Sequence, residues 1–167
     1  MAATLTYSTN FKVVETLEAN VQAASSTNKK ITHDQFNTSV TLNAESTPVI
    51  TKTVNYEVTL SGGAATIDLT ALKAAGQAAA GTIDGTGLKI QAIRLKNKST
   101  NANAMTFSEG ASNGYALFGA SWLVTLPVGG EVVAYLPEGT PDVATGDKTI
   151  DIAGTGSQVA QIQICLG

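Results

Sequence analysis

From Ser39 to the C-terminus, apolar and polar residues alternate in short runs that Gly, Pro, Asn and Ser interrupt. A side-chain period of two marks strands with one face buried and one wetted. In Ser121–Leu136, Trp122, Val124 and Leu126 alternate with Leu123 and Thr125, and Val132, Ala134 and Leu136 alternate with Glu131, Val133 and Tyr135. Pro127–Gly130 separates the two arms, so the pattern reads as a hairpin, and the only tryptophan marks it as the expected centre of the core. The longest clean alternation runs from Val49 to Leu60. Ile50, Val54, Tyr56, Val58 and Leu60 take one side, Thr51, Thr53, Asn55, Glu57 and Thr59 the other, and Lys52 interrupts the apolar face. Ser61-Gly62-Gly63-Ala64 then turns the chain into Ala65–Leu69 as a second hairpin. Leu88–Leu95 changes phase midway, which predicts a bulge or burial on both faces. Further strands are expected at Met105–Phe107, at Thr149–Ile152 and at Val159–Leu166, where Ala160, Ile162, Ile164 and Leu166 oppose Val159, Gln161, Gln163 and Cys165. Eight or nine short strands with turn signals between them predict an all-β, antiparallel β-sandwich, jelly-roll-like in arrangement.

Two segments depart from this pattern. Val13, Leu17, Val21 and Ala24 fall at helical spacing, although Phe11-Lys12-Val13-Val14 also suits the start of a strand. The composition of Ala23–Lys30 is that of a flexible connection. Residues 1–30 are therefore expected to form an N-terminal arm able to hold a short helix, and residues 31–167 a single β-sandwich domain. Such an arm either packs as the first element of its own domain or docks on a neighbouring subunit, with Phe11, Val13, Leu17 and Val21 as its interface. Thr70–Gly81 is alanine-rich and reads as a short helix capped by Thr70 and Gly81, or as an extended crossover loop.

At 167 residues the chain is long enough for one domain with its own core. Only 14% of it is charged, and small and hydroxyl residues take the place of the missing charge; the 23 threonines favour pleated surfaces over long helices. A net charge of −3, with the ten Lys and Arg scattered, speaks against nucleic acid as a partner. No run approaches the roughly 20 apolar residues of a membrane span, so no membrane partner is expected. The first residues lack the basic and apolar regions of a secretion signal. Cys165 is the only cysteine and reads as a small strand residue.

Gly110-Ala111-Ser112-Asn113-Gly114 matches the G-x-S-x-G of a nucleophile elbow, but that chemistry needs a following helix and a downstream acid and histidine. The only histidine, His33, lies far upstream. One His and one Cys do not make a zinc site, and Asp142, Asp147 and Asp151 lack the alternation of a calcium loop. No catalytic residue, cofactor or metal site is expected, and the chain is read as non-enzymatic. The polar segment Ser108–Ala120 carries Tyr115, Leu117 and Phe118. These side chains either form a recognition surface, suited to a receptor or a glycan, or fold back as a lid on the core.

Four segments together carry a resemblance: Asn55–Leu69, Asp84–Asn101, Leu126–Val133 with its Pro-x-Gly-Gly turn, and Gly154–Ile164. Over roughly residues 50–167 the chain resembles small β-sandwich virion structural proteins of tailed bacteriophages. The likeness is one of strand and turn style and transfers no individual residue roles. It implies a capsid decoration or cement protein, or a head or tail appendage. Such a subunit assembles in the host cytoplasm into the virion, as a homo-oligomer alongside other virion proteins such as the major capsid protein. The alternative is a receptor- or glycan-binding β-sandwich module.

Overall fold

A computed structural model describes residues 4–10, 12–16, 30–33, 37–74 and 81–167. The chain falls into two units, one of Thr6–Thr41 and one of Leu42–Gly167 together with Met1–Leu5. β1 (Leu5–Thr9) pairs with β4 (Thr38–Leu42), both in the smaller unit except for their end residues Leu5 and Leu42, and within that unit β2 (Val13–Thr16) pairs antiparallel with β3 (Lys30–His33). Val13 stands opposite His33 in a ladder, so the helical spacing that starts at Val13 does not produce a helix there. The β-branched pair Val13-Val14 follows its strand preference once a partner strand is available. The domain boundary expected at residue 30 falls inside β3, because Lys30 is already paired with Thr16.

The larger unit contains β5 (Lys52–Thr59), β6 (Ala64–Asp68), β7 (Leu72–Lys73), β8 (Thr82–Ile83), β9 (Ile90–Asn97), β10 (Met105–Glu109), β11 (Leu123–Leu126), β12 (Glu131–Tyr135), β13 (Thr149–Ala153) and β14 (Val159–Leu166). Leu72 and Lys73 pair with Ile83 and Thr82, so the alanine-rich segment holds a short strand near its start, where a helix capped by Thr70 would run. The middle of that segment, 75–80, lies outside the described residues.

Two four-stranded sheets face one another, in the orders β11-β10-β13-β6 and β12-β9-β14-β5. With β7 and β8 set aside, the ladders join the first strand to the eighth, the second to the seventh, the third to the sixth and the fourth to the fifth, all antiparallel. The chain is thus one long ribbon of strand pairs laid alternately into the two sheets. Period-two burial follows: in β14, Ala160, Ile162, Ile164 and Leu166 are buried, and the residues between them are half-buried on the outer face. They meet Phe107, Ile150, Ile152, Met105 and Ile67 from the opposite sheet, so the all-β sandwich forms around one apolar core.

Both expected hairpins have a different geometry. β11 pairs with β10 while β12 pairs with β9, and β5 and β6 likewise lie in opposite sheets, with a single Ser61–Ala64 bridge at the turn between them. Alternation and a Gly turn fix two strands and a reversal. They do not fix whether the returning strand lies beside the first or across the core from it. Here Trp122, Val124 and Leu126 enter the core from one sheet, and Val132 and Ala134 from the other. The phase change in Leu88–Leu95 is a bulge: Cys165 stands opposite Ala92 and Leu166 opposite Ile90, leaving Gln91 as the extra residue. Gln91 is fully buried. Its side chain donates to Gly167 O at 3.3 Å and accepts from Glu138 N at 3.0 Å.

Candidate functional site

The segment joining β10 to β11 is held from below. Thr149 N and Lys148 N donate to Asn113 O at 2.9 and 2.8 Å, and Tyr115 N donates to Thr149 O at 2.8 Å. Gly110 is required by this contact, because a Cβ there would stand 2.0 Å from Thr149 Oγ1. The G-x-S-x-G match is therefore a packing motif. Its second glycine is bridged to Thr149 at the start of β13, where a nucleophile elbow would begin a helix. Asp151 is bound to the scaffold as well, accepting from Thr66 Oγ1 at 2.7 Å and from Ala111 N at 2.8 Å.

Tyr115 and Leu117 point inward and are fully buried, folded back on the core as the lid alternative has them. The Tyr115 hydroxyl accepts from Ile90 N at 3.2 Å and donates to Pro141 O at 2.7 Å, while its backbone carbonyl accepts from Trp122 Nε1 at 2.7 Å. Burial raises its pKa, which keeps the phenol in the donating form. Tyr115→Phe leaves the buried Ile90 N–H without its acceptor and is expected to cost about 1–3 kcal/mol in urea unfolding. Of the three residues only Phe118 is exposed, 39% by area, with its ring edge-to-face on Trp122 at 5.4 Å. In the N-terminal segment Val13 lies in β2, while Phe11, Leu17 and Val21 lie outside the described residues.

The structure singles out a larger feature around Phe118. Phe118, Leu123, Val128 and Val133 are the large apolar side chains left exposed among the described residues, and all come from one short stretch of chain. Residues 110–130 hold no Asp, Glu, Lys or Arg. β11 and β12 are each the outermost strand of their sheet, so this stretch forms one open side of the sandwich. Alternation places Leu123 and Val133 outward. What makes them neighbours of an uncovered edge is the strand order, which periodicity does not carry.

The outer face of the β12-β9-β14-β5 sheet is polar by contrast. Arg94 and Lys96 both reach Glu131, at 2.7 and 3.4 Å, and Lys98 reaches Glu57 at 2.8 Å. Asn55, Glu57, Arg94, Gln161 and Gln163 line a shallow concavity of about 390 Å³ on this face. Hydrogen bonds from Arg94 lower the Glu131 pKa, and hydrogen bonds from Lys98 and Gln161 lower that of Glu57. Both groups then add stability that is present above their ordinary value of 4.5 and is lost as pH falls through their lowered folded values. The urea midpoint is expected to drop on acidification below that value, and to drop less in Glu131→Gln. Equal acid limbs for the two proteins would contradict this.

Cys165 lies on the same outer face, between Ala92 and Thr53, with its thiol pKa raised by burial. Among the described residues no three His, Cys, Asp or Glu side chains gather as a metal site, and no helix is long and apolar enough to cross a membrane. Comparison of the chain with protein-family models, with curated proteins and with solved structures gives no match.

Proposed function

We propose that this chain is a non-enzymatic virion structural subunit of a tailed bacteriophage, a capsid decoration or cement protein or a head or tail appendage that assembles with symmetry. The proposed fold is a jelly roll, supported by the ribbon of strand pairs laid alternately into two sheets.

The observation that carries the assembly reading is the small N-terminal unit. Its strands form sheets of only two strands, and no side chain described between residues 4 and 10 or between 37 and 41 is buried. Two-stranded sheets are marginal by themselves and gain stability when a further surface covers them. An N-terminal unit of two-stranded sheets suits a subunit that docks on neighbours, and arm exchange is a low-cost route to symmetric assembly. The sequence resemblance supplies the virion as the setting. Burial of Tyr115 and Leu117 removes two of the three side chains on which a receptor- or glycan-binding reading rests.

The test is to band virions from an infected lysate on a density gradient and to probe the fractions with an antibody against this chain. The reading predicts the chain in the particle band at a copy number that is a multiple of a symmetry order. Recovery only in the particle-free fraction would contradict it.

A further inference from the structure

Edge strands are usually guarded by charge against pairing with other chains. Three of the four outermost strands here follow that rule, with Lys52 and Glu57 on β5, Asp68 on β6 and Glu131 on β12. The fourth, β11, reads Leu123-Val124-Thr125-Leu126 and carries no charge. Its backbone is set for pairing. Glu109 N donates to Trp122 O at 3.1 Å, so Trp122, and by alternation Val124 and Leu126, turn their polar groups toward β10. Leu123 and Thr125 consequently turn their N–H and C=O groups outward.

We infer that a second copy of this chain pairs antiparallel along β11, about a two-fold axis at Val124. In that register Leu123 of each copy lies opposite Thr125 of the other, and the outward groups close about four backbone hydrogen bonds. The two β11-β10-β13-β6 sheets become one continuous sheet. Leu123, 64% exposed in the single chain, gains cover from the facing threonine methyl. The occupant is a second copy because a two-fold contact sets identical residues against each other. For a chain of net charge −3, such a contact is least opposed where the strip is uncharged, as it is over residues 110–130. Two-fold pairing also consumes the edge and closes at two copies, where a heterologous contact would run on. The inference rests on the reading of the chain as a self-assembling subunit.

Thr125→Pro removes an outward N–H and no backbone bond to β10, together with the exposed hydroxyl bond between Thr125 and Thr106 at 3.1 Å, and proline is tolerated where an edge-strand N–H faces outward. Leu123→Lys adds the missing guard charge. Light scattering on the full chain is expected to give an even multiple of 17.1 kDa for the wild type. Both variants are expected at half the wild-type mass, with the far-ultraviolet spectrum of the folded protein. Should proline at 125 unfold the strand, Leu123→Lys decides alone. A wild-type oligomer whose mass is unchanged in the folded variants overturns the β11 pairing and leaves the assembly reading standing. A wild type at 17.1 kDa at every concentration overturns both.

Discussion

Trp122→Ala is expected to lower the unfolding free energy by about 3–5 kcal/mol. The indole is 7% exposed and packs in the sandwich core. Its removal opens a cavity that Val124 and Leu126, fixed in the β10 ladder, are poorly placed to fill. The lost bond from Nε1 to the Tyr115 carbonyl adds little, because Leu117 N still donates to that carbonyl at 2.8 Å. Urea unfolding should show a lowered midpoint with an unchanged slope. Phe118→Ala, at the other end of the edge-to-face pair, should cost far less because the ring already meets water. Equal losses for the two variants would mean that Trp122 is not a core residue.

Asn97→Ala is expected to cost about 3 kcal/mol, since each buried polar group left bare costs roughly 1–3 kcal/mol. Asn97 is fully buried at the end of β9. Its Nδ2 donates to Asn103 O at 3.0 Å and to Leu126 O at 3.1 Å, and its Oδ1 accepts from Asn101 Nδ2 at 2.7 Å. Asn101 in turn exchanges bonds with the backbone of Val159, donating at 2.7 Å and accepting at 2.9 Å. One amide therefore joins β9 to the end of β11 in the opposite sheet, and steadies the start of β14. Amide exchange should rise together at Leu126 and Val159 in the variant. A rise confined to residues next to position 97 would contradict this linkage.

Much of the fold was legible in the sequence because it depends on side-chain period. Val159–Leu166 forms β14 with the expected inward and outward sets, and the phase change near Gln91 is a bulge. Pairing was less legible. The turns at Ser61–Ala64 and Pro127–Gly130 carry the chain from one sheet to the other, and a local glycine signal is the same for an arch and a hairpin. The role of Asn97 was not legible, since nothing local shows that carbonyls from Leu126 and Asn103 converge on it. At the candidate surface, the sequence left Tyr115 open between a recognition surface and a lid on the core, and its burial follows the second. A tyrosine in a polar loop has its side chain aimed by distant partners, here Ile90 and Pro141. The uncharged run 110–130 was visible throughout; only the outermost position of β11 gives it meaning.

The most direct measurement of the central claim is the molar mass in solution of the full chain and of a chain lacking residues 1–41. The sandwich core draws on residues from Val54 to Leu166, so the shortened chain keeps all of it. A structural subunit is expected as a multiple of 17.1 kDa, with fewer copies once the N-terminal unit is removed. A full chain that stays at 17.1 kDa across the concentration range would contradict the account.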